Sequence, residues 1–287
     1  MADPEPGERW QVLQGTVRGA NKKYSQDRHN VSFVGGDQAV VLVVADGHGS
    51  RIHARSHLGA QWAVEAFTRC ATPFARRLLE FETEGRNGAS WPVLYQEAKA
   101  MPRSICRLWR ERARIHEANG PSDGTVPAGR IVGVPQLVAY GSTVVGAVVT
   151  GHHVVCWRLG DGDIVLMGDG VRHGEDRGGG TLVRLFAEDD DIGDDTDSLC
   201  GPEPWYRMRV HGRPLTGLGR HKLILLNTDG LSKSYRDMEG YEAFATDLHE
   251  RLSSRSVEWA QPRLNSWLER SAGFSGDDTT LVAAYAA

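Results

Sequence analysis

Four aspartates stand at the ends of apolar runs that are typical of buried strands. Asp46 directly follows VVLVVA, Asp229 follows KLILLNT, and Asp277 and Asp278 precede TTLVAAY. An unpaired carboxylate at the end of a buried strand is costly, and several carboxylates that converge on one site repel each other unless cations hold them. Hard divalent ions such as Mg²⁺ and Mn²⁺ take oxygen ligands. The pattern therefore predicts a divalent metal centre.

The glycine after Asp46 adds a second kind of ligand. Gly47 allows a tight turn, and its carbonyl is left open as a further oxygen donor. A single Asp-Gly pair is most often an ordinary turn. For this reason the prediction depends on the order of several such motifs and not on any one of them.

The elements that must position these residues alternate between strand and helix patterns. Residues 10–46 are predicted to be β structure, and the next 70 or so to form two helices, with a break at Pro73 and a bend at Pro102. Strands follow, then helices over 241–253 and 257–271 and a last strand at 279–285. This order favours an α+β layered domain.

Two intervals are predicted to lie outside the regular elements. Residues 119–135 contain many Gly and Pro residues and are predicted to be a loop. Residues 174–220 are too long for a turn, so a flap or insertion is expected there. The acidic stretch 188–197 within it is predicted to be solvated, with docking of a basic partner as the alternative.

Composition excludes several classes of protein. The 287 residues are 40% hydrophobic and 24% charged, and no low-complexity linker divides them, so we expect one globular domain over 1–287. The net charge of −4 argues against a nucleic-acid-binding protein. The longest apolar run, 39–45, is far below the ~20 residues that span a membrane, and the acidic N-terminus is unlike a secretory signal. Four cysteines without a CxxC pair predict neither disulfides nor a zinc site. A cytoplasmic location is expected.

Six short motifs give the pattern its specificity. In chain order they are SQD (25–27), VVADGHG (43–49), GST (141–143), LGDGD (159–163), LNTDGL (226–231) and GDDTTL (276–281). Their order resembles that of the metal-dependent serine/threonine protein phosphatases of type 2C. The resemblance covers nearly the whole chain and implies a four-layer αββα sandwich. Two central antiparallel sheets would be flanked by pairs of helices, with a binuclear metal centre at one edge.

The resemblance also implies roles for the aspartates. Asp46 would bridge two Mn²⁺ or Mg²⁺ ions, and the Gly47 carbonyl would bind the second ion. Asp229 and Asp277 would bind the first ion. The remaining predicted ligands are Asp27, directly or through a water, and Asp161, which would hold a weaker third ion.

Three positions depart from the family pattern. Gln26 stands where a glutamate is usual, which removes a negative charge near the second ion and is expected to lower its affinity. Gly162 stands where a serine is usual, and Asp278 replaces an asparagine. None of these changes removes a principal ligand.

The expected reaction is hydrolysis of phosphoserine or phosphothreonine. Two divalent ions can activate a shared water for attack on phosphorus. His48 would protonate the leaving alkoxide, as the corresponding histidine does in the resembling phosphatases. Lys22, or else Arg18, is expected to hold the substrate phosphate, although a solvated basic turn is an equal alternative.

The expected partners follow from that reaction. They are a phosphorylated protein and a serine/threonine kinase on a separate chain, with neither nucleic acid nor membrane. Two other functions stay open. Gln26 leaves room for a phosphatase-like regulatory or binding module with weak or no catalysis, and the same centre could hydrolyse small phosphoesters or phosphodiesters.

Overall fold

Two five-stranded antiparallel sheets form the centre of the protein. The structure is a computed structural model that describes residues 9–84, 90–120, 137–169, 181–187 and 196–287. The first sheet has the order β1 (Gln11–Val17), β10 (Thr279–Ala286), β9 (Lys222–Asn227), β6 (Asp163–Gly168) and β7 (Thr181–Leu185). The second has the order β2 (Arg28–Val34), β3 (Ala39–Ala45), β4 (Val144–Thr150), β5 (His153–Leu159) and β8 (Arg209–Pro214).

Helices cover the outer face of each sheet. The long helices α1 (Ser56–Glu84) and α2 (Trp91–Ala118) pack on the second sheet. Helices α5 (Met238–Ser254) and α6 (Val257–Ser275) pack on the first. Two short helices, α3 (Pro204–Arg207) and α4 (Asp229–Ser232), lie in connections. Together the layers confirm the predicted α+β, αββα sandwich.

Three buried apolar layers hold the sandwich together. Phe67 of α1, Trp109 of α2 and Trp157 of β5 belong to one outer core, and Leu264 of α6 belongs to the other. The middle core fills the space between the sheets. Because the central strands are covered on both faces, every residue of β3, β4 and β9 is buried. This explains why their sequences are continuous apolar runs without alternation.

The two prolines do not end helices. α1 continues through Pro73 and α2 through Pro102, so the break expected in α1 was wrong. A proline removes only one N–H donor from the helix interior. Directly after Pro73, the buried residues Phe74, Ala75 and Leu78 continue the apolar face that packs on the sheet. This packing keeps the helix in place.

The intervals predicted to be irregular are only partly described. Of residues 174–220, the structure gives β7 and β8 to the two sheets and α3 to a connection. Residues 174–180 and 188–195 lie outside the described residues, as does most of 119–135. The flap, the single-domain boundary and the role of the acidic stretch therefore stay predictions. In the described part of the chain, no helix is long and apolar enough to cross a membrane.

Candidate metal centre

The predicted aspartates meet at one edge of the sandwich, where β3 and β9 end and β10 begins. The clearest sign is electrostatic. The pKa of Asp46 lies well above its usual range, mainly because the carboxyl is buried and also because the charges of Asp27, Asp229 and Asp277 act on it. Carboxylates affect each other's pKa in this way only at short range. Residues that are up to 250 positions apart in the sequence therefore share one site.

The backbone around Asp46 is held on both sides. Its N–H donates to Thr143 Oγ1 at 2.9 Å, and its carbonyl accepts the N–H of Thr143 at 2.9 Å. Gly47 forms a bridge with Ser142. A Cβ at Gly47 would lie 2.8 Å from the carbonyl of Ser56, so this turn requires glycine. The GST motif thus fixes the DGHG turn that carries two predicted ligands.

Asp27 is buried with one of its oxygens unsatisfied. Thr228 Oγ1 donates to its Oδ2 at 2.6 Å, but Oδ1 has no hydrogen-bond partner among the described residues. Burial raises the pKa of Asp27 to about 7; hydrogen bonds from Thr228 and Thr280 oppose the rise, and the charges of Asp278 and Asp229 add to it. A buried acceptor without a donor is costly unless a cation approaches it.

Asp229, the first residue of α4, also has one unsatisfied carboxylate oxygen. Its Oδ1 is buried and has no partner within the described chain, whereas its Oδ2 accepts the ammonium group of Lys233. Burial raises the pKa of Asp229 to about 6, and the charge of Asp161 adds to this, while Lys233 opposes it. Orphaned carboxylate oxygens on Asp27 and Asp229, in a site rich in oxygen donors, fit a hard divalent cation.

Two lysines neutralise carboxylates of the site. The ammonium of Lys22 contacts Asp277 and lies 3.3 Å from Asp278 Oδ2. Burial lowers the pKa of Lys22, but the hydrogen bond and charge of Asp277 outweigh this, so the net pKa is raised. Lys22 was predicted to hold phosphate, and in this structure it pairs with carboxylates instead. Arg18, the second candidate, is exposed and donates to the carbonyl of Lys23 at 2.9 Å.

Lys233 neutralises carboxylates on the other side of the site. Besides Asp229, its ammonium lies 3.4 Å from Asp161 Oδ2, which also accepts Thr196 Oγ1 at 3.1 Å. Lys233 was not among the residues predicted from the sequence, although its i, i+4 relation to Asp229 was a usable signal. The predicted third-ion ligand Asp161 is therefore already in contact with an ammonium group.

The lysine contacts also affect whether the carboxylates can bind a common ion. Within the described ranges, no three carboxylate, imidazole or thiol groups lie close enough together to enclose one ion. Asp277 is paired with Lys22 and Asp229 with Lys233, so each of these carboxylates is engaged by an ammonium group. The convergence of Asp46, Asp229 and Asp277 on a common ion therefore stays a prediction that requires those pairs to open.

Asp278 and Gln26 have positioning roles that the sequence did not reveal. Asp278, only 1% exposed, accepts the N–H of Gly19 at 2.8 Å and that of Gln26 at 2.7 Å. It thereby anchors the loop that carries Lys22. Gln26 donates from Nε2 to the His48 carbonyl at 3.0 Å and to Ser56 at 2.6 Å. The bond to the His48 carbonyl needs an amide donor, which a glutamate could not supply, whereas the Ser56 hydroxyl could also donate to a carboxylate.

His48 is held at the same edge in a neutral form. The backbone N–H of His48 donates to the Gly141 carbonyl at 3.2 Å, and the centroid of its ring lies 4.8 Å from that of the His53 ring. Burial lowers the pKa of His48 to about 4, and the charge of His53 adds to this, while Asp161 opposes it. Its predicted role as an acid requires a protonated ring, which a substrate phosphate beside it would favour.

Gly162 is explained by lack of space. A Cβ there would lie 2.6 Å from the carbonyl oxygen of Asn227 and 2.9 Å from a methyl of Val145. A serine side chain cannot be accommodated at this position without movement of β9. The departure from the family motif is therefore a packing feature.

Comparisons with known proteins agree with the fold. Three similar solved structures are a bacterial serine phosphatase (15% identity, 97% of each chain covered, TM-score 0.56), PppA of Pseudomonas aeruginosa (17%, 98% of this chain and 99% of that one, 0.56) and the catalytic domain of PstP in complex with two manganese ions (17%, 97% and 98%, 0.53). At these identities the similarity establishes the fold alone. A search of curated proteins finds no match. The model of the family "Protein phosphatase 2C" matches residues 14–269. The chain therefore belongs to the protein phosphatase 2C family.

Proposed function

We propose that this chain is a metal-dependent protein serine/threonine phosphatase. The observation that carries the proposal is the cluster of buried aspartates, in which Asp27 and Asp229 each have an orphaned oxygen and a raised pKa. A protein that placed unpaired carboxylates together without a use for them would be destabilised. The two manganese ions of the PstP complex, a protein of the same fold, support divalent cations as the occupants.

The residues that would hold the ions are those predicted from the sequence. Asp46 would serve both ions, Asp229 and Asp277 would serve the first, and the Gly47 carbonyl would serve the second. Asp27 would bind directly or through a water. Two such ions supply a water of lowered pKa and positive charge that offsets the charge on the phosphoryl oxygens.

Opening of the lysine pairs gives Lys22 a second role. A cation on Asp277 would free the ammonium of Lys22 from that carboxylate, on a loop still anchored by Asp278. There it can bind a phosphoryl oxygen as a point charge. His48, at the same edge, would then protonate the departing serine or threonine oxygen.

Lys233 favours a centre of two ions over one of three. If a cation displaced the ammonium of Lys233 from Asp229, Asp161 would remain as the carboxylate partner of this lysine. A weaker third ion was expected at Asp161, and it would face this positive charge at short distance, which opposes binding. We therefore assign the positive charge near Asp161 to Lys233.

The test combines metal binding with turnover. Isothermal calorimetry with Mn²⁺ is expected to show two binding events, and a phosphothreonine peptide is expected to be hydrolysed only when Mn²⁺ is present. Asp46→Asn and Asp229→Asn are expected to lose at least about 100-fold in rate. Asp247→Asn is the matched control, since Asp247 is exposed and pairs with Arg251 one turn along α5. Metal-independent hydrolysis would contradict the proposal.

A phosphatase-like regulatory module is the second candidate. The observation that favours it is the pairing of Asp229 and Asp277 with the chain's own lysines, which competes with cations. One tight ion, no second event and no hydrolysis of any phosphomonoester would favour this reading. A phosphoprotein substrate, a kinase on a separate chain and a cytoplasmic location stay parts of the first proposal.

A further inference from the structure

A strongly basic groove lies between α2 and α3, and none of its described lining residues is a predicted metal ligand. Its cavity measures about 440 Å³ and is lined by four arginines and two aromatic residues, Arg103, Arg107, Arg110, Arg114, Trp205 and Tyr206. We call it the arginine groove. The arginines follow each other at steps of four, three and four residues, so they share one face of the helix. Among the described residues that line the groove, none is a carboxylate.

Aromatic rings fix two of the guanidinium groups. Arg110 lies over the ring of Trp205 at 5.0 Å and donates to the Gly201 carbonyl at 3.0 Å. Arg103 lies over the ring of Tyr206 at 5.6 Å and donates to its hydroxyl at 3.2 Å. These contacts orient the guanidinium groups but leave their charge uncompensated.

The groove differs from other charged surfaces of the same helices. On another face of α2, Arg112 pairs with Glu65 at 3.7 Å, and Glu97 pairs with Arg77 of α1 at 2.6 Å. In the described parts of the chain, none of the four groove arginines has such a pair. Like charges at helical spacing destabilise a helix. In a chain with a net charge of −4, this local excess of positive charge indicates an anionic partner.

The groove is connected to the metal centre by one stretch of chain. Thr196 donates to Asp161, and Leu199 donates its N–H to the carbonyl of Ser142 at 2.9 Å. Six residues later the same stretch supplies Trp205 to the groove. A partner that lies in the groove would therefore contact the segment that also borders the metal centre.

We propose that the arginine groove binds an acidic segment of the phosphoprotein substrate. This inference rests on the proposed function. Guanidinium groups bind carboxylates and phosphates in bidentate fashion. From Arg103 to Arg114 the helix advances about 16 Å, which corresponds to about five residues of extended peptide. The net charge of −4 makes a nucleic acid a poorer occupant.

Binding is tested without catalysis. The probe is a fluorescein-labelled hexaglutamate peptide, and its anisotropy is followed during titration with the full chain at low and at moderate salt. The double variant R107A/R114A is expected to bind it about fivefold or more weakly, since each exposed charge pair contributes modestly. R112A, which removes an arginine from another face of α2, is the matched control and is expected to bind as the wild type does. Higher salt is expected to weaken wild-type binding.

Several outcomes would overturn the inference. One is equal binding by R107A/R114A and the wild type. Another is tighter binding to an RNA oligonucleotide or to vesicles of anionic phospholipid than to the peptide. A third is a strong gain in peptide affinity when Asp189, Asp190 and Asp191 are changed to Asn, because the groove would then belong to the chain's own acidic run.

Hydrolysis of p-nitrophenyl phosphate separates this inference from the proposed function. R107A/R114A is expected to hydrolyse it at the wild-type rate, because the groove arginines do not touch the metal centre. If the proposed function is wrong, hydrolysis is absent in both proteins while charge-dependent peptide binding persists. If only the groove inference is wrong, hydrolysis is present and the two proteins bind the peptide equally.

Discussion

Replacement of Asp27 by Asn is expected to stabilise the metal-free protein at alkaline pH. Asp27 has a pKa of about 7 in the folded protein, against 3.8 in its ordinary environment. Because the folded state holds the proton more tightly, the stabilisation is fully present below pH 4 and is lost as the pH rises towards 7. Three pH units correspond to about 4 kcal/mol, of which about 3 kcal/mol is lost between pH 5 and pH 8.

The Asn side chain removes this loss and keeps the main contact. Its amide oxygen can still accept the Thr228 hydroxyl, which lies 2.6 Å from Oδ2 of Asp27. In chelator at pH 8, D27N is therefore expected to be about 2–4 kcal/mol more stable than the wild type, and near pH 5 the two are expected to converge. Saturating Mn²⁺ is expected to reverse the order, because the cation replaces the proton in the wild type only.

Urea unfolding followed by tryptophan fluorescence measures the effect at pH 5, 6, 7 and 8, with and without Mn²⁺. The control D247N changes an exposed carboxylate and is expected to alter the free energy of unfolding by less than about 0.5 kcal/mol. A lower stability of D27N than of the wild type in chelator at pH 8 would contradict the raised pKa of Asp27. A difference between the two proteins that does not change with pH would contradict it as well.

Three further substitutions test neighbouring contacts. Gln26→Glu removes the donor to the His48 carbonyl and places a carboxylate against it, and is expected to cost about 1–3 kcal/mol of stability in chelator, measured by urea unfolding; an unchanged midpoint would contradict the assigned bond. Gly162→Ser is expected to cost about 1–3 kcal/mol by the same assay, whereas G273S, at an open position of α6, should cost far less. Lys233→Ala is expected to add a third Mn²⁺ binding event in calorimetry, and an unchanged count of two would argue against the lysine as the obstacle.

Much of the architecture could be predicted from local patterns. Continuous apolar runs indicated strands that are covered on both faces, and β3, β4 and β9 are buried along their whole length. The break at Pro73 could not be judged locally, because a missing hydrogen bond in one turn is outweighed by the packing of the surrounding helix on a sheet.

The sequence predicted which aspartates belong to the candidate site, but not which groups they contact there. The order of the motifs identified Asp27, Asp46 and Asp229 as neighbours, and burial and mutual charge agree with this. Nothing near Asp278 in the sequence indicates that it holds the backbone of Gly19, which is 259 positions away. Such contacts depend on which loops the sheets bring to the same edge.

The chemistry available to this protein, a set of oxygen ligands placed at strand ends, follows from the amino-acid sequence alone. How the charges are compensated, with Lys22 against Asp277 and Lys233 against Asp229 and Asp161, depends on the folded arrangement. The type of a donor atom is a local property of the side chain, whereas the energy of a buried charge depends on every other charge that the fold brings within a few ångströms of it.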